Sequence, residues 1–116
     1  MASFTEADSE LTPARVSELL AAGEIQLIDV REGYEWEAGR IAGARHIELE
    51  RLASEADSID RELPVVFHCR LGSRSAMATQ AFRASGWEAF NMEGGIQAWA
   101  EGGLPLEPED GTVADH

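Results

Sequence analysis

Cys69 is the one cysteine of the chain, and it opens the run Cys69-Arg70-Leu71-Gly72-Ser73-Arg74-Ser75. A thiol attacks as the thiolate, and an unperturbed cysteine ionises only at a pKa of about 8.5. Helix N-termini and neighbouring arginines both favour the charged form. The apolar stretch Val65-Val66-Phe67-His68 just before Cys69 reads as a buried strand, and a helix is expected to begin near Arg74 or Ser75. The run is therefore strand end, short loop, helix start. Gly72 permits backbone angles that let several N–H groups turn toward the sulfur. Arg70 at the rim and Arg74 at the helix start add positive charge. The expected site is thus a small anion-binding bowl: Cys69 as nucleophile, with Arg70, Leu71, Gly72, Ser73 and Arg74 binding the substrate. Ser75 is expected to do no more than cap the helix.

The charge distribution points the same way. The chain carries 22 acidic residues against 9 basic, a formal net charge of -13. That balance repels nucleic acid, so none is expected as a partner. From Leu63 to Trp87 there is no Asp or Glu, while Arg70, Arg74 and Arg83 all fall in this stretch. All the basic residues are arginine. An acidic, lysine-free surface suits a salt-tolerant host and equally follows from a biased genome composition.

Each of these residues also has a plainer use. A lone cysteine after a strand is ordinarily a small buried apolar residue; the glycine-containing loop with two arginines is what sets this one apart. His68 is adjacent to Cys69, and neighbouring strand residues point to opposite faces, so it is expected to pack beneath the loop rather than act as a base. Asp29 and Arg31 are expected to pair and fix a turn. Glu35 and Glu37 read as a solvated helical turn. Trp36, Trp87 and Trp99 read as packing residues. One cysteine excludes an internal disulfide, and His46, His68 and His116 show no ligand spacing, so neither metal nor cofactor is expected.

Several elements must position the loop. Thr12 and Pro13 mark a helix start, Val16, Leu19 and Leu20 its buried face, and Gly23 its stop. Ile25 to Val30 is a short buried strand. Gly33 to Gly39 reads as a helical turn, a short strand lies around His46-Ile47, and Glu48 to Ile59 reads as a short surface helix. After the Cys69 loop, a helix runs to Gly86, Trp87 to Met92 is a strand candidate, and Gly94-Gly95 opens a last helix. The first ten residues read as a loose arm. Short apolar strands alternating with helices predict a three-layer α/β/α domain on a mainly parallel sheet of about five strands. Ligands of such sheets bind beyond the carboxyl ends of strands, where Cys69 stands. Residues 1–106 form the one expected domain, and 107–116 read as an acidic, mobile tail. The N-terminus has no basic and apolar leader, and no apolar run approaches the roughly 20 residues that span a bilayer, so a cytoplasmic monomer without membrane contact is expected.

Three segments carry a family resemblance. Leu27-Ile28-Asp29-Val30-Arg31 continues through Glu35-Trp36, Gly39-Arg40-Ile41 and Gly43-Ala44; the Cys69–Ser75 loop follows; then Glu93-Gly94-Gly95-Ile96-Gln97-Ala98-Trp99 leads to Gly102 and Leu104-Pro105. In this order they resemble the single-domain rhodanese (thiosulfate sulfurtransferase-like) family from about Leu11 to Leu106. Arg40 stands where that family usually has His, Ala42 where Pro is frequent, and His68 where Tyr is common. The resemblance implies a sulfurtransferase that passes a sulfane sulfur from thiosulfate or a related small anionic donor, through a Cys69 persulfide, to cyanide, a small thiol or a protein thiol. Two alternatives remain at this point. One is a sulfur-carrier or binding module with little turnover. The other is a cysteine phosphatase or arsenate reductase, whose Cys-x5-Arg loop would need arginine where Ser75 stands.

Overall fold

The computed structural model describes residues 8–116. Five strands form one sheet in the order β1-β5-β4-β2-β3: β1 Glu10–Leu11, β2 Gln26–Asp29, β3 Arg45–His46, β4 Val65–His68 and β5 Ala89–Met92. All four neighbouring pairs are parallel. Helices α1 (Pro13–Ala21) and α5 (Gly95–Glu101) cover one face, α3 (Leu52–Glu55) and α4 (Ser73–Ala84) the other, and α2 (Gly33–Ala38) follows β2. The three-layer α/β/α architecture with a parallel sheet is the one the sequence predicts.

Both faces of the sheet are buried because helices lie on both. Val66 and Phe90 pack with Val16, Leu19, Ile96 and Trp99, while Val65 and Phe67 pack with Leu52, Ala78 and Phe82. Fully burying a side chain such as Phe67 contributes about 2 kcal/mol or more. α1 begins as the sequence indicates: the Thr12 side chain accepts from Arg15 N at 3.2 Å, and Pro13 occupies the first turn.

Two local expectations need correction, and the C-terminal segment has contacts of its own. Residues 1–7 of the expected loose arm lie outside the described residues, but Glu10–Leu11 pair with β5, aided by Asn91 N donating to Ser9 O at 2.7 Å. A pattern of two residues is too short to read as a strand; the exposed edge of β5 recruits it. The surface helix expected over Glu48 to Ile59 is broken into the 3-10 turns Leu49–Arg51 and Ala56–Ser58 on either side of α3. The C-terminal segment, which has no apolar periodicity, runs back over the end of α2. Arg40 and Glu107 exchange main-chain hydrogen bonds, Thr112 N donates to Ala38 O at 2.8 Å, and Val113 packs on the α1–α5 core. Main-chain pairing of this kind leaves no mark in side-chain pattern.

No helix among the described residues is long and apolar enough to cross a membrane.

Candidate active site

Cys69 directly follows β4, and α4 begins four residues later. Gly72 turns the chain between them at φ +111°, a region that favours glycine. That turn sends the Gly72 N–H to Cys69 Sγ at 3.1 Å. Ser75, in the first turn of α4, brings its Oγ to 3.3 Å from the same sulfur and 3.2 Å from Gly72 O. Its single hydroxyl hydrogen serves one acceptor at a time, so a thiolate at Cys69 draws it to sulfur. Ser75 is thus a sulfur contact, which its reading as a mere cap misses. Where several inward N–H groups are expected, the Gly72 amide is the one bonded to the sulfur.

Cys69, Arg70, Leu71, Ser73 and Arg74 line a cleft of about 100 Å³, which His116 also lines. Cys69 forms its floor and has no exposed surface. Larger apolar space exists elsewhere, a groove of about 450 Å³ running from Leu20 to the Ile41–Gly43 loop, but it holds no ionisable group.

The two arginines of the loop are both engaged. Arg74 donates from both terminal nitrogens to the Glu35 carboxylate, at 2.9 and 3.0 Å. Glu35 is completely buried, and Glu32 N also donates to it at 2.9 Å, closing a capping box at the start of α2. The solvated role read for Glu35 is therefore wrong. A helical turn of six residues looks exposed in sequence, but α2 follows β2, the sheet neighbour of β4, and its Glu35 faces the start of α4. Burial works against the Glu35 charge, yet the Arg74 bonds outweigh it and hold its carboxyl below the ordinary value; Arg74 in turn is raised despite its own burial. Arg70 pairs with Asp115 at 3.1 Å, and its Nε is buried with no hydrogen-bond partner.

A second ion pair lies beneath the loop. Arg31 donates from Nε and Nη2 to both Asp29 oxygens and from Nη2 to Gly39 O at 2.7 Å. This is the pairing expected of Asp29 and Arg31, and both are fully buried. His68 makes its contact with Cys69 at the main chain, with Nδ1 3.5 Å from Cys69 O, and its Nε2 lies 3.7 Å from Asp29 Oδ2. Burial pushes its pKa below 6.5, so it is neutral near pH 7. A buried neutral histidine with a depressed pKa stabilises the fold above about pH 6.5 and loses that contribution as pH falls, because the unfolded chain takes up the proton the folded chain refuses. The urea midpoint is expected to fall between about pH 7 and pH 5, and a His68→Gln variant to lose much of that slope. Equal slopes in both proteins would show that His68 is not the group involved.

Other elements hold the loop from behind. Asn91 of β5 donates from Nδ2 to Gly72 O at 3.3 Å. Ile96 N and Gln97 N, in the first turn of α5, donate to Cys69 O and Arg70 O at 2.9 and 3.1 Å. Gly95 makes that approach possible, since a Cβ there would collide with the carbonyls of Arg70 and Cys69. The Gly94-Gly95 pair signals this in sequence; Asn91 carries no such signal. Among the described residues no group of three His, Cys, Asp or Glu side chains is placed to hold a metal ion.

The fold recurs in known proteins. The rhodanese-like domain family matches residues 12–102. The chain belongs to that family. The rhodanese domain is 43% identical over 75 residues to YqhL of Bacillus subtilis strain 168, a match covering 64% of this chain and 60% of that protein, less than two thirds of its length. It is 35% identical over 91 residues to the putative sulfurtransferase YtwF of the same organism, covering 78% of this chain and 88% of that one. A rhodanese-related protein from Thermoplasma volcanium superposes with a TM-score of 0.78 at 30% identity, over 84% of this chain and 95% of the other. The fold and the family membership of this rhodanese domain rest on these matches.

Proposed function

We propose that this chain moves a sulfane sulfur from thiosulfate or a related anionic donor to a thiophilic acceptor through a persulfide on Cys69. The observation that carries the proposal is the sulfur of Cys69 at the floor of a small, arginine-lined cleft, held by the Gly72 amide and the Ser75 hydroxyl. The Cys69 thiolate attacks the outer sulfur of the donor. A sulfur–sulfur bond forms to Cys69 while the donor's own sulfur–sulfur bond breaks, and its electron pair leaves on sulfite. An acceptor thiolate, or cyanide, then attacks the outer persulfide sulfur, and the pair from that broken bond returns to Cys69 as thiolate. This is covalent catalysis in two half-reactions.

The preplaced Gly72 amide stabilises the sulfur anion at each stage, and the Ser75 hydroxyl turns its hydrogen to it. Arg70 draws in the donor from the long stretch between Leu63 and Trp87 that contains no acid in sequence. Arg74, tied to Glu35, fixes the loop to α2 as well as lending charge. A phosphatase reading finds no support in the loop: the sixth residue after Cys69 is Ser75, and its hydroxyl is turned to the sulfur.

Gly72→Val tests the backbone part of the proposal. A β-branched residue opposes φ +111° and swings the amide off the sulfur. Sulfur transfer is expected to fall by about a hundredfold, the scale of losing one preorganised donor. The melting temperature should change much less. Wild-type turnover in this variant, followed by steady-state release of sulfite, would show that the amide is not used.

A further inference from the structure

The C-terminal segment ends where an anionic donor must enter. After Leu106 the chain pairs with Arg40, crosses Gly39 and places Thr112 N on Ala38 O. It then brings Asp115 to within 3.1 Å of Arg70 and His116 to the wall of the Cys69 cleft. The Asp115 side chain is otherwise 95% exposed, so Arg70 is its one anchor in an open position, and a single carboxylate there takes up the cation that faces the donor. Gly39 is the point of closest passage. A Cβ at Gly39 would collide with the Thr112 carbonyl and lie 2.7 Å from Thr112 N, although Gly39 itself is extended and tolerates any residue by backbone angle. The strip over α2 is thus shaped to hold this segment against the domain.

We propose that the segment from Glu107 to His116 is an autoinhibitory strap: Asp115 occupies Arg70 in place of the anionic donor, so that seating of the strap and entry of the donor exclude one another. The proposal rests on the reading of Arg70 as the donor's guide, but it concerns access to Cys69 and can be tested without any sulfur transfer. The strap is weak by construction. Its charged contact is exposed and screened by salt, and such pairs are worth about 1 kcal/mol or less. Its remaining hold is a few main-chain bonds and Val113. A weak strap yields to a donor at sufficient concentration, or to a partner that binds the same strip of α2, while slowing reaction of Cys69 with scarce anions.

The test uses the full chain and the alkylation rate of its single thiol. Iodoacetate is the anionic probe and iodoacetamide the neutral one, with carboxymethylation read by intact mass. Asp115→Asn keeps the shape of the segment and removes its charge. It is expected to speed iodoacetate about threefold and iodoacetamide much less. Gly39→Ala lifts the segment from Thr112 onward and is expected to speed both reagents about fivefold or more, with loss of hydrogen-exchange protection at the Thr112 amide. In wild type, high salt should narrow the gap between the two reagents. Wild-type rates in Asp115→Asn, or in a Gly39→Ala chain whose Thr112 amide has lost protection, overturn the strap. Faster alkylation in a chain that transfers no sulfur would leave the strap standing and overturn the sulfurtransferase reading instead.

Discussion

Cys69→Ser is expected to reduce sulfur transfer to background while leaving the fold in place. The thiol is the only one in the chain, so no second nucleophile can take its role. Serine is close in size, and its hydroxyl can still accept from the Gly72 amide that now bonds Sγ. The melting temperature is therefore expected to stay within about 3 °C of wild type. Incubation with thiosulfate followed by intact mass measurement should show wild type gaining the mass of one sulfur atom, reversed by a reducing thiol, and Cys69→Ser gaining none. A wild-type chain that gains the sulfur but passes it to no small acceptor would be a carrier. Sulfite release by purified Cys69→Ser would remove the mechanism altogether.

Glu35→Ala is expected to have the largest effect on stability. The substitution strips the partner from Arg74, whose side chain is only 14% exposed, and opens the capping box of α2. Removing one member of a buried pair typically costs about 3 kcal/mol or more, which for a domain of this size lowers the melting temperature by about 10 °C. Activity should fall with it, because Arg74 and the first turn of α4 lose the contact that fixes them to α2. Arg74→Ala tests the pair from the other side. It leaves Glu35 buried without its cation, with only lesser contacts such as the Glu32 N–H to offset burial, so its carboxyl rises from its value in the wild-type pair. The gap in stability between Arg74→Ala and wild type should then be widest near neutral pH and narrow in acid, where the orphaned carboxyl is neutralised and the wild-type pair loses its own benefit. Two variants each within about 1 kcal/mol of wild type would mean that the pair is screened by solvent and does not hold the site.

Much of this protein could be read from residue order. Val65 to Phe67 and Ile25 to Val30 are short, branched and apolar, and a strand buried on both faces needs no more than that. Thr12-Pro13 and the glycines at turns set helix ends by local chemistry. The proposed nucleophile is legible because a unique thiol followed directly by a glycine-bearing loop is a local pattern, and His68 is read as a packing residue because neighbouring strand side chains alternate. What the sequence could not assign were contacts between segments far apart in the chain. The stretch from Leu63 to Trp87 contains no acid, yet the space around it does: Glu35 arrives on α2 and Asp115 on the C-terminal segment, each pairing with an arginine of the loop. Ser75 and Asn91 acquire their roles only once α4 and β5 are packed beside Cys69 and Gly72. Local dihedral preference and side-chain periodicity act over a few residues and so are written in the chain. Ion pairing and main-chain docking depend on distances in space, and those exist only after β2, β4 and β5 have been laid side by side.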